Sequence, residues 1–261
     1  MPDDGLRFAH KPRDGEVIAS KHHKSRYQAP RSQHEIWLSE ALACTDRLGR
    51  AKQMSLIPEA QPERPAGDMR VFYSGRLDLL QKPCVAVVGT RKLSEPGVKR
   101  THRLARELVE AGVTVVSGLA QGVDTVAHTT AIEAGGGTIA VIGTPLDKAY
   151  PAENARLQET IYRDHLLVSQ FANGTKVYRS SFPARNKLMA TLSDATVIME
   201  ASDTSGTLHQ AAECTRLGRW LFIARSVVDD PKLSWPAKFL KQSNCVVLDN
   251  VSDILERVAA R

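Results

Sequence analysis

Seven short apolar runs recur along the chain: Val85–Val88, Val113–Val116, Thr138–Ile142, Leu166–Val168, Thr196–Met199, Leu221–Ile223 and Val246–Leu248. None alternates apolar with polar residues. Each segment therefore buries both of its faces, as strands of a parallel sheet do when helices cover it on both sides. Helical patterns lie between the runs. Val98, Thr101, Leu104, Ala105, Leu108 and Val109 share one helix face, as do Ala127, Ala131 and Ile132, and later Ala211, Ala212 and Leu217. Gly112, Gly135 and Gly218 follow these stretches, where a left-handed cap ends a helix. Strands alternating with helices predict an α/β protein with one doubly wound, mainly parallel sheet from about residue 84 to 248.

The N-terminal part reads differently. Residues 1–34 carry no hydrophobic period, and from Lys11 to Arg31 six Lys/Arg stand against two acids, Asp14 and Glu16, with His22 and His23 among them. Such a stretch is either a solvated, poorly ordered tail or an auxiliary nucleic-acid arm. From His34 to Arg50 the pattern turns helical, with Ile36, Trp37, Ala41 and Leu48 as anchors, and Pro58, Pro62, Pro65 and Gly67 then mark a linker. The expected organisation is a flexible basic arm over 1–34, a helical extension and linker over 35–70, and the α/β domain over 71–261. The 35 Lys and Arg against 29 Asp and Glu give +6, a balance that suits polyanionic partners without requiring them. No apolar run reaches the roughly 18 residues of a membrane span, and the acidic first nine residues do not resemble a secretory signal. Cys44, Cys84, Cys214 and Cys245 are too scattered for a zinc site or a disulfide scaffold, so free thiols in a reducing cytoplasm, with no metal and no cofactor, are expected.

Open α/β sheets bind ligands beyond the C-terminal strand ends, so the residues after each run are the informative ones. The first run leads into Gly89-Thr90-Arg91-Lys92-Leu93-Ser94-Glu95-Pro96-Gly97. Gly89 and Gly97 permit close backbone approach, the following helix offers free N–H groups to a phosphate, and Arg91 adds a bidentate fork. Arg91 stands where a dinucleotide fingerprint would have its second glycine, which argues against a pyrophosphate there. The second run leads into Ser117-Gly118-Leu119-Ala120-Gln121-Gly122-Val123-Asp124, with Asp124 and His128 four apart on one helix face, either gripping a ligand or paired structurally. Later come Gly143-Thr144-Pro145, Tyr150-Pro151, Ser169-Gln170-Phe171 and Phe182-Pro183-Ala184-Arg185-Asn186-Lys187. Two cations at a helix start oppose its dipole unless an anion sits between them and the N–H groups. The fifth run is followed by Glu200-Ala201 and the small-residue turn Ser205-Gly206-Thr207, a candidate oxyanion nest. Together these loops predict a phosphate-binding surface around Arg91, Arg185 and Lys187.

In order and spacing, Val87-Val88-Gly89-Thr90-Arg91-x-x-Ser94, Ser117-Gly118-Leu119-Ala120-x-Gly122-Val123-Asp124-x-x-Ala127-His128, Thr138–Gly143, Tyr150-Pro151, Phe182-Pro183-x-Arg185-Asn186-Lys187 and Glu200-Ala201 with Ser205-Gly206-Thr207 resemble the DNA-processing protein A (DprA/Smf) family, over about residues 71–225. The resemblance implies a Rossmann-like domain that binds single-stranded DNA without catalysing a reaction. It implies a homodimer that protects the strand and helps load a RecA-type recombinase during uptake and recombination of foreign DNA. Carried over, Gly89, Thr90, Arg91, Ser94, Ser117, Gly118, Gly122, Phe182, Arg185, Asn186, Lys187, Ser205, Gly206 and Thr207 form the DNA site, with Phe182, or Phe171, stacking a base. Three departures stand out, the first being that the first ~70 residues do not match the helical N-terminal domain the resemblance leads one to expect. Ala224-Arg225-Ser226 occupies the place of a usual Pro-Gly, and only Asn250–Arg261 follows the last run where relatives often carry a winged-helix domain. The alternatives are a free-nucleotide sensor, or an enzyme similar to the lonely guy nucleoside monophosphate phosphoribohydrolases. The catalytic glutamate of that enzyme would fall near His209 or Gln210, and the nearest acid is Glu213.

Overall fold

The computed structural model describes residues 27–43 and 68–258. Nine strands form one sheet in the order β1-β2-β6-β5-β4-β3-β7-β8-β9. The strands are β1 (His34–Trp37), β2 (Arg70–Gly75), β3 (Cys84–Val88), β4 (Thr114–Ser117), β5 (Thr138–Ile142), β6 (Leu166–Ser169), β7 (Ala195–Ile198), β8 (Trp220–Ala224) and β9 (Cys245–Leu248). From β6 through β9 every neighbouring pair is parallel, whereas β1–β2 and β2–β6 are antiparallel. The sheet is thus mainly parallel and doubly wound, and every residue of β3, β4, β5, β6 and β7 is buried.

Alternate side chains of these strands serve opposite faces. Ala86 and Val88 of β3 join Val116, Ile139 and Val141 in one core, with Leu188, Met189 and Leu192. Val85 and Val87 join Val115 and Val197 in the other, with Leu104, Leu108, Val123, Ala127 and Ala131. The first face is covered by α1 (Leu38–Ala43), α5 (Ser181–Thr191), α6 (Thr207–Arg216) and α8 (Trp235–Phe239). The second is covered by α2 (Glu95–Glu110), α3 (Val123–Glu133) and α9 (Ser252–Val258). The helix α4 (Ala155–Asp164) packs Ile161 on Ala140, Ile142 and Leu167, and α7 is the short turn Arg225–Val228. Thr101, Leu104, Ala105 and Leu108 of α2 are buried as the period requires, and Val98, one turn nearer the N-terminus, is exposed. The glycines expected to end α2 and α3, Gly112 and Gly135, adopt φ of 75° and 73°.

The N-terminal expectations need correction. The helical pattern expected from His34 begins with an extended strand, β1, and among the described residues of that stretch Leu38–Ala43 is helical. Ile36 and Trp37 sit on a β-ribbon in which they pair with Val71 and Arg70, so tertiary pairing overrides a weak helical period. Residues 27–33, expected in the flexible arm, are docked. The Tyr27 hydroxyl donates to Leu146 O at 2.6 Å, and Tyr162 Oη donates to Gln28 O at 2.8 Å. Ser74 Oγ donates to Ser32 O at 2.8 Å. The remainder of the arm (1–26), the Leu48 anchor, Cys44 and the proline-rich linker lie outside the described residues. Cys84, Cys214 and Cys245 are buried, and among the described residues no helix is long and apolar enough to cross a membrane.

Candidate functional site

The chain winds outward from β3 through β4, β5 and β6, then returns across the sheet to β7 on the other side of β3. The loops after β3 and β7 therefore part at the switch point, where such sheets leave a crevice. A cleft of about 320 Å³ opens there, bounded by Gly89–Arg91, Ala120, Asp124, the α5 residues Phe182 to Met189, and the turn from Ser202 to Gln210. Nine of the fourteen residues expected from sequence line it: Gly89, Thr90, Arg91, Phe182, Arg185, Asn186, Ser205, Gly206 and Thr207. Ser202, His209 and Gln210 line it as well, and adjacency to motif residues is their only signal in the sequence as DNA-site residues; Asp124, read as either gripping a ligand or paired structurally, lines it too.

The loop after β3 is set by its neighbours. Thr90 N donates to Glu200 O at 2.7 Å, and Val123 N donates to Thr90 O at 3.2 Å. Gly89 has no room for a side chain, since a Cβ there would lie 2.5 Å from Val123 Cγ2 and 2.7 Å from Glu200 O. Gly89 thus serves the junction of three elements. Arg91 and Lys92 are exposed at the end of this loop.

The helix N-terminus expected to receive a phosphate is already occupied. Ser94 caps α2 by accepting from Gly97 N at 3.1 Å. Its hydroxyl donates to Glu200 Oε2 at 2.8 Å, and its N–H lies 3.4 Å from Glu200 Oε1. Gly97 does permit close approach, but to this carboxylate: a Cβ would stand 2.3 Å from Glu200 Oε2. The protein supplies its own anion at this dipole, which is why Ser94 lies outside the cleft.

Ser117 also proves structural. It is fully buried, and its hydroxyl donates to Val87 O at 2.7 Å, tying β4 to β3. Gly118 and Gly122 shape the next turn from beneath the cleft. Gly122, at φ 77°, packs so closely on the preceding loop that a Cβ would meet Thr90 O at 2.2 Å. Leu119 between them takes φ 58°, a conformation unfavourable for a leucine. Asp124 holds this turn by accepting from Gly118 N at 3.1 Å and Ala120 N at 3.2 Å. Asp124 and His128 do not pair. The buried His128 instead places Nδ1 2.7 Å from Thr138 Oγ1, which itself donates to Val115 O at 2.8 Å. Because the Thr138 proton is committed, the imidazole is the neutral Nδ1–H tautomer. Burial pushes its pKa down to about 3.

Arg185 differs most from expectation. It lies on the second turn of α5, not at its start, and is only 7% exposed. Its Nη1 donates to Val141 O at 3.1 Å, and its guanidinium lies over Gly118, where a Cβ would be 1.4 Å from Nη1. Burial pushes the guanidinium pKa down and that of the Asp124 carboxyl up, each opposed by the charge of the other. The anion that reconciles this cation with its surroundings is therefore Asp124. Lys187 is exposed, does not line the cleft, and acts electrostatically on Glu213 of α6. Two positions along a helix turn by about 200°, so Arg185 inward places Lys187 outward.

Phe182 is half-buried at the mouth, in contact with the backbone position of Gly143, and stands 5.3 Å from the exposed Tyr150 ring at 48°. Phe171 does not line the cleft. The Ser205–Thr207 turn is largely bonded to itself: Ser205 Oγ accepts from Thr207 N at 3.2 Å, and Thr207 Oγ1 donates to Gly89 O at 3.2 Å. Asn186 Nδ2 reaches Gly206 O at 3.4 Å. Glu213, the nearest acid to the place of the ribohydrolase glutamate, is held by Arg216 at 2.5 Å and 3.1 Å and lies outside the cleft. Among the described residues no group of His, Cys, Asp and Glu could hold a metal.

Residues 56–259 match the family described as DNA recombination-mediator protein A. The chain is 41% identical to DNA processing protein DprA of Streptococcus pneumoniae over 186 residues, covering 71% of this chain and 65% of that protein. It is 40% identical to Protein Smf of Synechocystis over 164 residues, 61% of this chain and 41% of that one. The chain thus spans less than two thirds of the length of these curated relatives. The crystal structure of the S. pneumoniae protein superposes with a TM-score of 0.66, covering 72% of this chain and 66% of the other at 40% identity. DNA processing protein A from Helicobacter pylori, whose single-stranded DNA binding mode has been described structurally, gives 0.64 over 77% of this chain and 91% of that one, at 29% identity. The chain belongs to the DNA recombination-mediator protein A family.

Proposed function

We propose that this chain binds single-stranded DNA along the switch-point cleft and acts as a recombination mediator without catalysing a reaction. The observation that carries the reading is the pairing of two kinds of group at one mouth. The exposed Arg91 lines the cleft on the β3 side, with the exposed Lys92 next along the loop, and Phe182 lines the other side with its ring 5.3 Å from that of Tyr150. Cations that follow a backbone beside rings on which unpaired bases stack are the usual means of holding a single strand without reading its sequence. A duplex keeps its bases stacked inside and gains nothing from the rings. The single-stranded DNA binding of the H. pylori relative supports the same partner. The cleft-lining turns Ser205–Thr207 and Gly89–Arg91 would meet the sugar-phosphate chain, and Lys187 would extend the positive surface over the outside of α5. Homodimerisation, delivery of the strand to a RecA-type recombinase and a role in uptake of foreign DNA complete the proposal, by analogy with the family.

Labelled oligo-dT, duplex of the same length and dTMP, titrated across salt, test it. Oligo-dT should bind best, and log affinity should fall with log salt by about 0.7 per phosphate neutralised. Equal binding of duplex, or preference for dTMP, would overturn the proposal.

A further inference from the structure

We propose that Arg185 is a positioning residue: from the floor of the cleft it sets the Thr90–Arg91 loop through Gly118, Asp124 and Gly122, and it does not itself touch DNA. The inference rests on the single-stranded DNA reading above and says how that site is held in shape. The contacts form one chain across the end of the sheet. Arg185 reaches over from α5 on one face, anchored on Val141 O at 3.1 Å, and lays its guanidinium on the α-carbon of Gly118. From the other face Asp124, at the start of α3, takes the N–H groups of Gly118 and Ala120. Gly118 is thus clamped between a buried cation and a buried carboxylate. The turn it opens passes through the unfavourable φ of Leu119 and ends at Gly122, which lies directly on the carbonyls of Thr90 and Arg91. Val123 N closes the chain on Thr90 O at 3.2 Å.

The same arrangement accounts for the charges. Arg91 and Arg185 repel each other, and Asp124 offsets the inner cation so that the outer one can face solvent. A strained turn persists only where its surroundings over-determine it. Arg185 and Asp124 are the groups that do so here. A lysine could not both reach the carbonyl and cover the glycine, since it offers a point charge in place of a planar fork.

The test uses the full chain with Arg185→Gln, Gly118→Ala and Arg91→Ala, singly and combined. Gly118→Ala keeps every charge but puts a methyl where the guanidinium lies, so it probes the clamp even if Arg185→Gln folds poorly. Each of these two variants should weaken oligo-dT binding at least tenfold alone and less than twofold in the Arg91→Ala background. Each should also lower the salt slope to that of Arg91→Ala and no further. Without DNA, the amides of Thr90 and Val123 should exchange at least tenfold faster in both variants, while those of Val85–Val88 stay protected. Losses that multiply with that of Arg91→Ala, or unchanged exchange at Thr90 and Val123, would overturn the proposal. A wild-type chain that ignores oligo-dT would refute the functional reading alone, and the exchange arm would still decide whether Arg185 sets the loop.

Discussion

The buried imidazole of His128 makes the stability of this fold depend on pH in a way that can be worked out in advance. The ring is fully buried on α3, and its Nδ1–H donates to a threonine hydroxyl whose own proton is committed to Val115 O. Its Nε2 has no partner. Burial penalises the charged ring, and the charges of His165 and Arg185 add to that against an opposing backbone hydrogen bond at Ser117, so the pKa falls from 6.5 to about 3. The folded value lies below the unfolded one, so the contribution is complete above about pH 6.5 and is lost as the pH falls toward 3. At about pH 4.5 the unfolded chain has protonated this ring and the folded chain has not. The two-unit gap corresponds to about 2.7 kcal/mol of lost stability. In a domain of this size that is roughly 5–11 °C of Tm. Other groups titrate in the same range, so the comparison is with His128→Asn, whose amide nitrogen takes the place of Nδ1 and does not titrate. Urea unfolding at pH 7.5 and 4.5 should show the variant less stable at the higher pH, with the gap closing by about 2.7 kcal/mol at the lower. Parallel loss of stability in both proteins would refute the neutral, buried state assigned to this ring.

Other outcomes follow from the cleft. Arg91→Ala should weaken oligo-dT binding by about 1.5–3 kcal/mol, the range of a hydrogen bond to a charged group, with thermal stability unchanged; Lys187→Ala, outside the cleft, should cost less in the same titration. Phe182→Ala should lose about 1–3 kcal/mol of oligo-dT affinity if one base stacks there, whereas Phe171→Ala should leave the dissociation constant unmoved. Ser94→Ala removes a helix cap and a bond to Glu200, and should lower stability by about 1–2 kcal/mol in urea unfolding.

The central sheet was legible because each strand from β3 to β7 is buried on both faces, and two-sided burial leaves an unbroken apolar run. The edge was not. In β2 the order Arg70-Val71-Phe72-Tyr73-Ser74-Gly75 mixes exposed and buried positions, and β1 borrows its conformation from pairing with β2. A four-residue edge ribbon has little period of its own, and the apolar anchors Ile36, Trp37 and Ala41 happened to fit a helix. The long-range contacts of Tyr27 with Leu146 and Gln158 likewise leave no local trace.

Motif order pointed to the switch-point cleft, but motif membership could not separate the groups that face the cleft from those that hold it. The glycines illustrate the difference. Gly89 and Gly97 read as places where a ligand approaches the backbone, and Gly118 and Gly122 as members of the DNA site. In each the approaching atom belongs to the protein: Val123 and Glu200, the Glu200 carboxylate, the Arg185 guanidinium and the Thr90 carbonyl in turn. The charges divide in the same way. Arg91 and Arg185 look alike as basic residues in glycine-flanked or helical motifs, yet one is exposed and the other is 7% exposed beside a buried carboxylate. A surface meant for a polyanion needs cations that are held out toward solvent, and holding them there requires rigid backbone beneath. In this chain the residues that supply that rigidity are themselves polar and charged, because they must satisfy the open N–H and C=O groups at the ends of parallel strands. That is why a set of residues chosen for phosphate chemistry contains both groups exposed at the cleft and the buried groups beneath them.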